Sequence, residues 1–167
     1  NSSTLQGTFQ ADNFELAGGD LSGQSEIRGG FRWTGGSLVL ATLRLGPGSH
    51  QISGAAQKTL LQSRLENAGH LVAEGGPLRM LFTGYGQADV ITNTAEGVLD
   101  LVGDWNVQQA NGGGWPPTLL GLFSSGTMRK TGGGTVVLDA VPLTSYGQCE
   151  IAAGVLRVNS NLTLGPT

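Results

Sequence analysis

The densest group of ionisable side chains in the sequence is Glu96, Asp100 and Asp104. Paired carboxylates hydrolyse glycosidic bonds when they stand about 5–10 Å apart, one as acid and the other as base or nucleophile. Asp100 lies between Leu99 and Leu101, so in a strand it points away from the side those leucines share. Asp104 reaches the same outer side if the strand runs straight through Gly103. No Asp-Asp pair, Gly-His-Gly or Arg-x-Lys group accompanies them. The expectation is solvated surface acids and no catalytic residue.

Metal chemistry has as little support. A zinc site needs three or four converging ligands. His50 and His70 each follow a glycine-bearing turn, and Cys149 has no CxxC partner. Both histidines are expected at the surface or in turns. Cys149 alternates with Ile151, so it is expected to face a core as a small hydrophobe. Gly18-Gly19-Asp20-Leu21-Ser22-Gly23 carries the glycines of a calcium-binding nonapeptide with the acid in the wrong place. Turn chemistry explains it, and neither a metal nor a cofactor is expected.

Aromatic rings are the remaining candidates, because flat exposed rings stack on the apolar faces of sugars. Trp33 shares parity with Phe31, and Trp105 with Leu101 and Val107, so both are expected in the core. Trp115 lies between a triple glycine and Pro116-Pro117, off any alternating run, and Tyr85 lies between Gly84 and Gly86. Trp115 and Tyr85 are therefore the candidate ligand-binding residues, with a polysaccharide or cell-surface glycan as partner.

The elements that must position these residues are short. Phe31-Arg32-Trp33, Leu38-Val39-Leu40, Leu43-Arg44-Leu45, Leu78-Arg79-Met80, Leu99-Asp100-Leu101 and Leu156-Arg157-Val158 alternate apolar and middle residues. That period of two is the signature of strands with one buried face. Glycine and asparagine separate the runs, and both accept positive φ cheaply.

The runs also recur. Gly69-x-Leu71 precedes Gly75-Gly76 and Leu78-x-Met80; Gly126-x-Met128 precedes Gly132-Gly133-Gly134 and Val136-x-Leu138; Gly147-x-Cys149-x-Ile151 precedes Gly154 and Leu156-x-Val158. A unit of roughly twenty residues is the scale of repeat architectures. One such coil cannot bury its apolar side alone, but coils stacked at about 4.8 Å can. The reading is all-β: a right-handed, single-stranded parallel β-helix of about seven coils running as one solenoid through residues 1–167. Two stretches fit less well. Residues 53–67 can be drawn as a short amphipathic helix with Ser53 as its N-cap and Gly69 near its C-cap. Residues 106–123, with Asn111-Gly-Gly-Gly114 and two prolines, read as a longer loop leaving the coil body.

The segment Gly126-Thr-Met-Arg-Lys-Thr-Gly-Gly-Gly-Thr-Val-Val-Leu-Asp139, followed by Tyr146-Gly-Gln-Cys-Glu-Ile-Ala-Ala-Gly-Val-Leu-Arg-Val158, resembles the autotransporter-associated β-strand repeat. The resemblance covers residues 126–158 well and residues 67–80 more loosely. It implies a right-handed β-helix on the outside of bacteria, in autotransporter passengers and large adhesin-like proteins, and it implies no catalytic signature.

Composition agrees with a packed, weakly charged chain. Charged residues are 13% and hydrophobic residues 38%, and 29 of 167 residues are glycine. An ordinary soluble domain has about 25% charged residues and about 7% glycine. The net charge is −3 and the basic residues are scattered, so nucleic-acid binding has no electrostatic basis. No apolar run approaches the ~18 residues of a membrane span. With a lone cysteine, stability must come from packing and the backbone ladder. The expected function is a non-catalytic structural or adhesive module, a spacer or display surface, cut from a larger secreted or cell-surface bacterial protein whose neighbouring domains are its partners. The alternatives are a carbohydrate-binding module and part of a polysaccharide-active β-helix enzyme. The open strand edges at its two ends are expected either to carry a cap or to associate.

Overall fold

An aliphatic at every second position makes a strand with one buried side, and a left-handed or glycine residue bends the chain into the next. In this sequence the bends come so often that the chain coils. The computed structural model describes residues 1–82, 89–111 and 120–165. The first turn comprises β1 (Ser2–Thr4) and β2 (Gly7–Leu16), and the next two are the single bent strands β3 (Asp20–Trp33) and β4 (Gly36–Ile52). From there each turn divides into three strands. They are β5 (Lys58–Leu61), β6 (Arg64–Asn67) and β7 (His70–Ala73); β8 (Leu78–Phe82), β9 (Val90–Asn93) and β10 (Val98–Val102); β11 (Trp105–Asn111), β12 (Gly121–Ser124) and β13 (Thr127–Thr131); β14 (Thr135–Asp139), β15 (Leu143–Ser145) and β16 (Cys149–Ile151). β17 (Val155–Asn159) and β18 (Leu162–Leu164) begin another turn.

Each strand pairs in parallel with its counterpart one turn away. Three faces result. The first runs through β1, β3, β4, β5, β8, β11, β14 and β17, and the third through β2, β3, β4, β7, β10, β13 and β16. The second runs through β2, β3, β4, β6, β9, β12, β15 and β18. The chain is thus a parallel β-helix of seven full turns and two faces of an eighth. Connections between parallel strands of this kind wind right-handed.

Columns of inward side chains fill the rod. On the second face Leu43, Leu65, Ile91, Leu122 and Leu143 stack in register, all buried. On the third face Phe31, His50, Leu71, Leu99 and Met128 do the same. Trp33 and Trp105 are both core residues, as their parity requires. The corner between the first and second faces is tight. It holds a left-handed residue in four turns: Gly23 (φ 98°), Leu40 (φ 51°), Gln62 (φ 50°) and Ala140 (φ 56°).

Two expectations are corrected. Residues 53–67 form no helix. Lys58 and Leu60 are buried in β5, then Leu65 and Asn67 in β6, with the left-handed Gln62 between them. Both strands are held between turns, β5 by β4 and β8 and β6 by β4 and β9. Pairing on both edges overrides the helical propensity of an Ala-, Leu- and Gln-rich run. Ser53 caps nothing; it is buried, and its amide donates to the Trp33 carbonyl at 2.9 Å. The loop drawn over 106–123 is also too long, because β11 continues through residues 106–111 and β12 starts at Gly121. Arg79 to Gln108 and Gln108 to Asp139 span 29 and 31 residues, against 20 from Thr59 to Arg79. The extra chain lies between β8 and β9 and between β11 and β12, the same corner of consecutive turns.

Candidate functional site

The outward positions of the third face bring together the most concentrated charge chemistry among the described residues. His70 stands on β7, Asp100 on β10 and Arg129 on β13, three consecutive turns. Strand alternation aims all three away from the core, as Leu71, Leu99 and Met128 beside them point inward. Arg129 Nε donates to Asp100 Oδ1 at 2.7 Å and Nη2 to Oδ2 at 2.8 Å. His70 Nε2 donates to the same Oδ2 at 2.7 Å.

Asp100 is therefore outward but not solvated, which corrects the sequence expectation. Its neighbours cover it until only 8% of the residue is exposed. Burial is the largest influence on its carboxyl and pushes it up. The Arg129 and His70 hydrogen bonds together with their charges outweigh burial and hold it below the usual carboxylate range. Three of its roughly four acceptor positions are filled, so the carboxylate is engaged by the two neighbouring turns. Among the described residues, no hydroxyl hydrogen bonds to His70. The cluster is an inter-turn clamp in its present geometry, not a nucleophile and base.

The other two acids of the sequence trio stand apart from it. Asp104 turns the corner between the third and first faces, where its Oδ1 accepts the Thr135 amide at 2.6 Å from the next turn. The left-handed Gly103 (φ 65°) bends the chain before it, so it never reaches the outer face of Asp100. Glu96 is exposed at another corner and accepts the Thr94 hydroxyl at 2.8 Å.

His50 is a second correction. It is buried in the core column between Phe31 and Leu71, with Nε2 2.8 Å from the Gly46 carbonyl and Nδ1 lacking a partner. Burial lowers its pKa, which keeps the ring neutral. Cys149 continues the Leu99–Met128 column, packs against the core, and has its thiol pushed up by burial. No group of three or more His, Cys, Asp or Glu converges among the described residues. Tyr85 and Trp115, the candidate sugar platforms, lie outside the described residues.

No family model, no curated protein and no solved structure matches this chain. Its own geometry must carry any functional reading.

That geometry contains buried polar residues that alternation alone misses. Asn67, Asn93, Ser124 and Ser145 stack in one inward column at the corner between the second and third faces. Asn67 Nδ2 donates to Asn93 Oδ1 at 2.8 Å, and Asn93 Nδ2 donates to Ser124 Oγ at 3.1 Å. The same amides reach corner carbonyls: Asn67 to Val98 O at 3.0 Å, and Asn93 to Thr127 O at 2.9 Å. A pattern does mark the column: Leu65-x-Asn67-x-Gly69, Leu122-x-Ser124-x-Gly126 and Leu143-x-Ser145-x-Gly147. The glycine is required, since a Cβ on Gly126 would strike the backbone oxygens of Thr94 and Gly97.

Lys58 and Lys130 are buried as well, and neither has a carboxylate partner among the described residues. Lys130 Nζ donates to the carbonyls of Thr131 and Gly132, each at 3.0 Å; Lys58 Nζ donates to Ala56 O at 2.9 Å and Gly54 O at 3.2 Å. Each lysine closes the corner that adjoins its own strand. Asp89 is the last buried acid. Its Oδ1 accepts the Ser63 amide at 2.9 Å, and Oδ2 has no hydrogen bond. Burial raises its pKa to about 7 against the pull of the Ser63, Gln62 and Leu81 amides.

Proposed function

We propose that this chain is a non-catalytic structural or adhesive module of a secreted or cell-surface bacterial protein, working as a rigid spacer or display surface. The observation that carries the reading is that its polar side chains join one turn to the next. The Asn67–Asn93–Ser124 column does so inside, the Asp100 clamp on the third face, and Arg44–Glu66 at 3.7 Å on the second. Groups committed to neighbouring turns stiffen the rod along its axis and leave few in the open, convergent arrangement that catalysis demands. The outer faces can vary without touching the inward columns, which suits display. The resemblance of residues 126–158 to the autotransporter-associated repeat supports the extracellular setting.

The test combines shape with activity. Small-angle scattering on the purified chain should give a stiff rod with an axial length of roughly 35 Å per chain. Incubation with acidic and neutral polysaccharides should release no product. New reducing ends or unsaturated sugars would overturn the reading in favour of a polysaccharide-active enzyme. Glycan retention that disappears with Trp115→Ala would replace it with the carbohydrate-binding alternative.

A further inference from the structure

In the third-face core column a histidine stands where the turns on either side have Phe31 and Leu71. Only 2% of His50 is exposed. Its Nε2 lies 2.8 Å from the Gly46 carbonyl. A carbonyl only accepts, so Nε2 carries the ring proton and Nδ1 is the basic nitrogen. Nδ1 is buried without a hydrogen-bond partner. A second proton must therefore enter at a nitrogen with no acceptor, and a buried charge without a partner is costly.

Among the described residues no carboxylate supplies a counter-ion to the ring. On β3, Glu26 and Arg28 lie against Gly46 but bond each other at 2.9 Å, and Arg32 is exposed on the outer side. On β4 itself Arg44 reaches Glu66, and so does Arg64 on β6. On β7, His70 is bound to Asp100, and Glu74 just beyond that strand accepts from Gln51. Lys58 on β5 is bonded to the Gly54 and Ala56 carbonyls. Burial is the main influence on the His50 ring and lowers its pKa; the Gly46 hydrogen bond opposes it, and the charge of His70 adds to it.

We propose that His50 is an acid-sensitive latch: when its ring takes a second proton, it leaves the core and opens the corner formed by Gly46, Pro47, Gly48 and Ser49. The way out is short. Pro47, Gly48 and Ser49 are exposed, whereas Phe31 and Leu71 are held in their own strands. Gly69 of the next turn packs so closely that a Cβ there would strike the Gly46 and Gly48 carbonyl oxygens and the His50 ring. Turning the ring outward thus breaks its bond to Gly46 and the fit of Gly69 together. The latch sits at a joint. β4 is the last single bent strand, and the Asn67–Asn93–Ser124 column and the His70–Asp100–Arg129 clamp both begin in the turn after it. Acid then loosens the third turn from a braced stack that stays closed.

Amide hydrogen exchange, with each rate corrected for the intrinsic effect of pH, tests the proposal on the 167-residue chain. A histidine with a depressed folded pKa leaves stability intact above the unfolded value, about 6.5, and erodes it as pH falls below that. Between about pH 7.5 and about pH 5, residues 46–50 and 69–71 should lose protection, while 98–101 and 122–124 keep theirs. Asp89 takes up its proton over the same range and stabilises, and Asp100 keeps its charge, so a loss confined to this corner is not theirs. His50→Leu should abolish the loss, and His70→Asn should leave it in place. The NMR signal of the His50 ring, identified by its absence from His50→Leu, should titrate at lower pH than in the urea-unfolded chain. If His50→Leu does not fold, exchange in the wild type and in His70→Asn decides. Equal acid loss in His50→Leu, loss removed by His70→Asn, loss spread evenly along the chain, or protection unchanged at about pH 5 would each overturn it. Neither result bears on the spacer reading, which the polysaccharide assay tests separately.

Discussion

Arg129 clasps Asp100 with two hydrogen bonds of 2.7 and 2.8 Å from the following turn, while His70 holds the same carboxylate from the preceding one. A depressed carboxyl is a stability statement. The stabilisation is fully present above the unfolded value of about 3.9 and is lost as pH falls through the lower folded value. Asp100→Asn should therefore lower the melting temperature at neutral pH, and the deficit should shrink below about pH 4. Thermal melts of both proteins across that range check it; a deficit constant with pH would assign the loss to packing.

Asn93 joins the Asn67 amide, the Ser124 hydroxyl and the carbonyls of Gly97 and Thr127. Asn93→Ala strands several of those groups in the core and opens a cavity, which should cost about 3 kcal/mol. Ser145, whose hydroxyl makes a single, 3.5 Å contact to the Gly147 carbonyl among the described residues, is the control. Ser145→Ala should cost less than about 1 kcal/mol. Urea unfolding of the two variants decides whether the polar column matters beyond its volume.

Leu40 is left-handed at φ 51° and 65% exposed. It gains little burial, and its Cβ meets the steric penalty of that conformation. Leu40→Gly should stabilise the chain by about 1 kcal/mol, and Leu40→Asn by less. Destabilisation by both would show that the exposed leucine packs on something absent from a single copy.

Asp89 behaves in the opposite sense to Asp100. Its folded pKa, about 7, is above the unfolded value. The stabilisation it contributes is complete below the unfolded value and disappears as pH rises to about 7. Asp89→Asn should be more stable than the parent at pH 8 and lose most of that advantage by pH 5. Denaturant midpoints at the two pH values measure it, and equal differences at both would assign Asp89 an ordinary pKa.

Alternation, glycine spacing and the twenty-residue recurrence determined the all-β parallel coil, the number of turns, and the inward setting of Trp33, Trp105 and Cys149. A residue's side of a strand depends only on its neighbours along the chain, and that much is local. The burial of Asp100 and His50 was decided elsewhere. Asp100 is covered by a histidine thirty residues before it and an arginine twenty-nine after it. His50 follows Gly48-Ser49, which in the sequence marks a turn-to-strand junction, yet β4 carries it straight into the Phe31–Leu71 column. Strand β6 could read as helix in isolation, because only the strands of the turns above and below supply the hydrogen bonds that make it extended. Local pattern chose the strand and its inner side; which distant side chain covers which is fixed only when the turns stack.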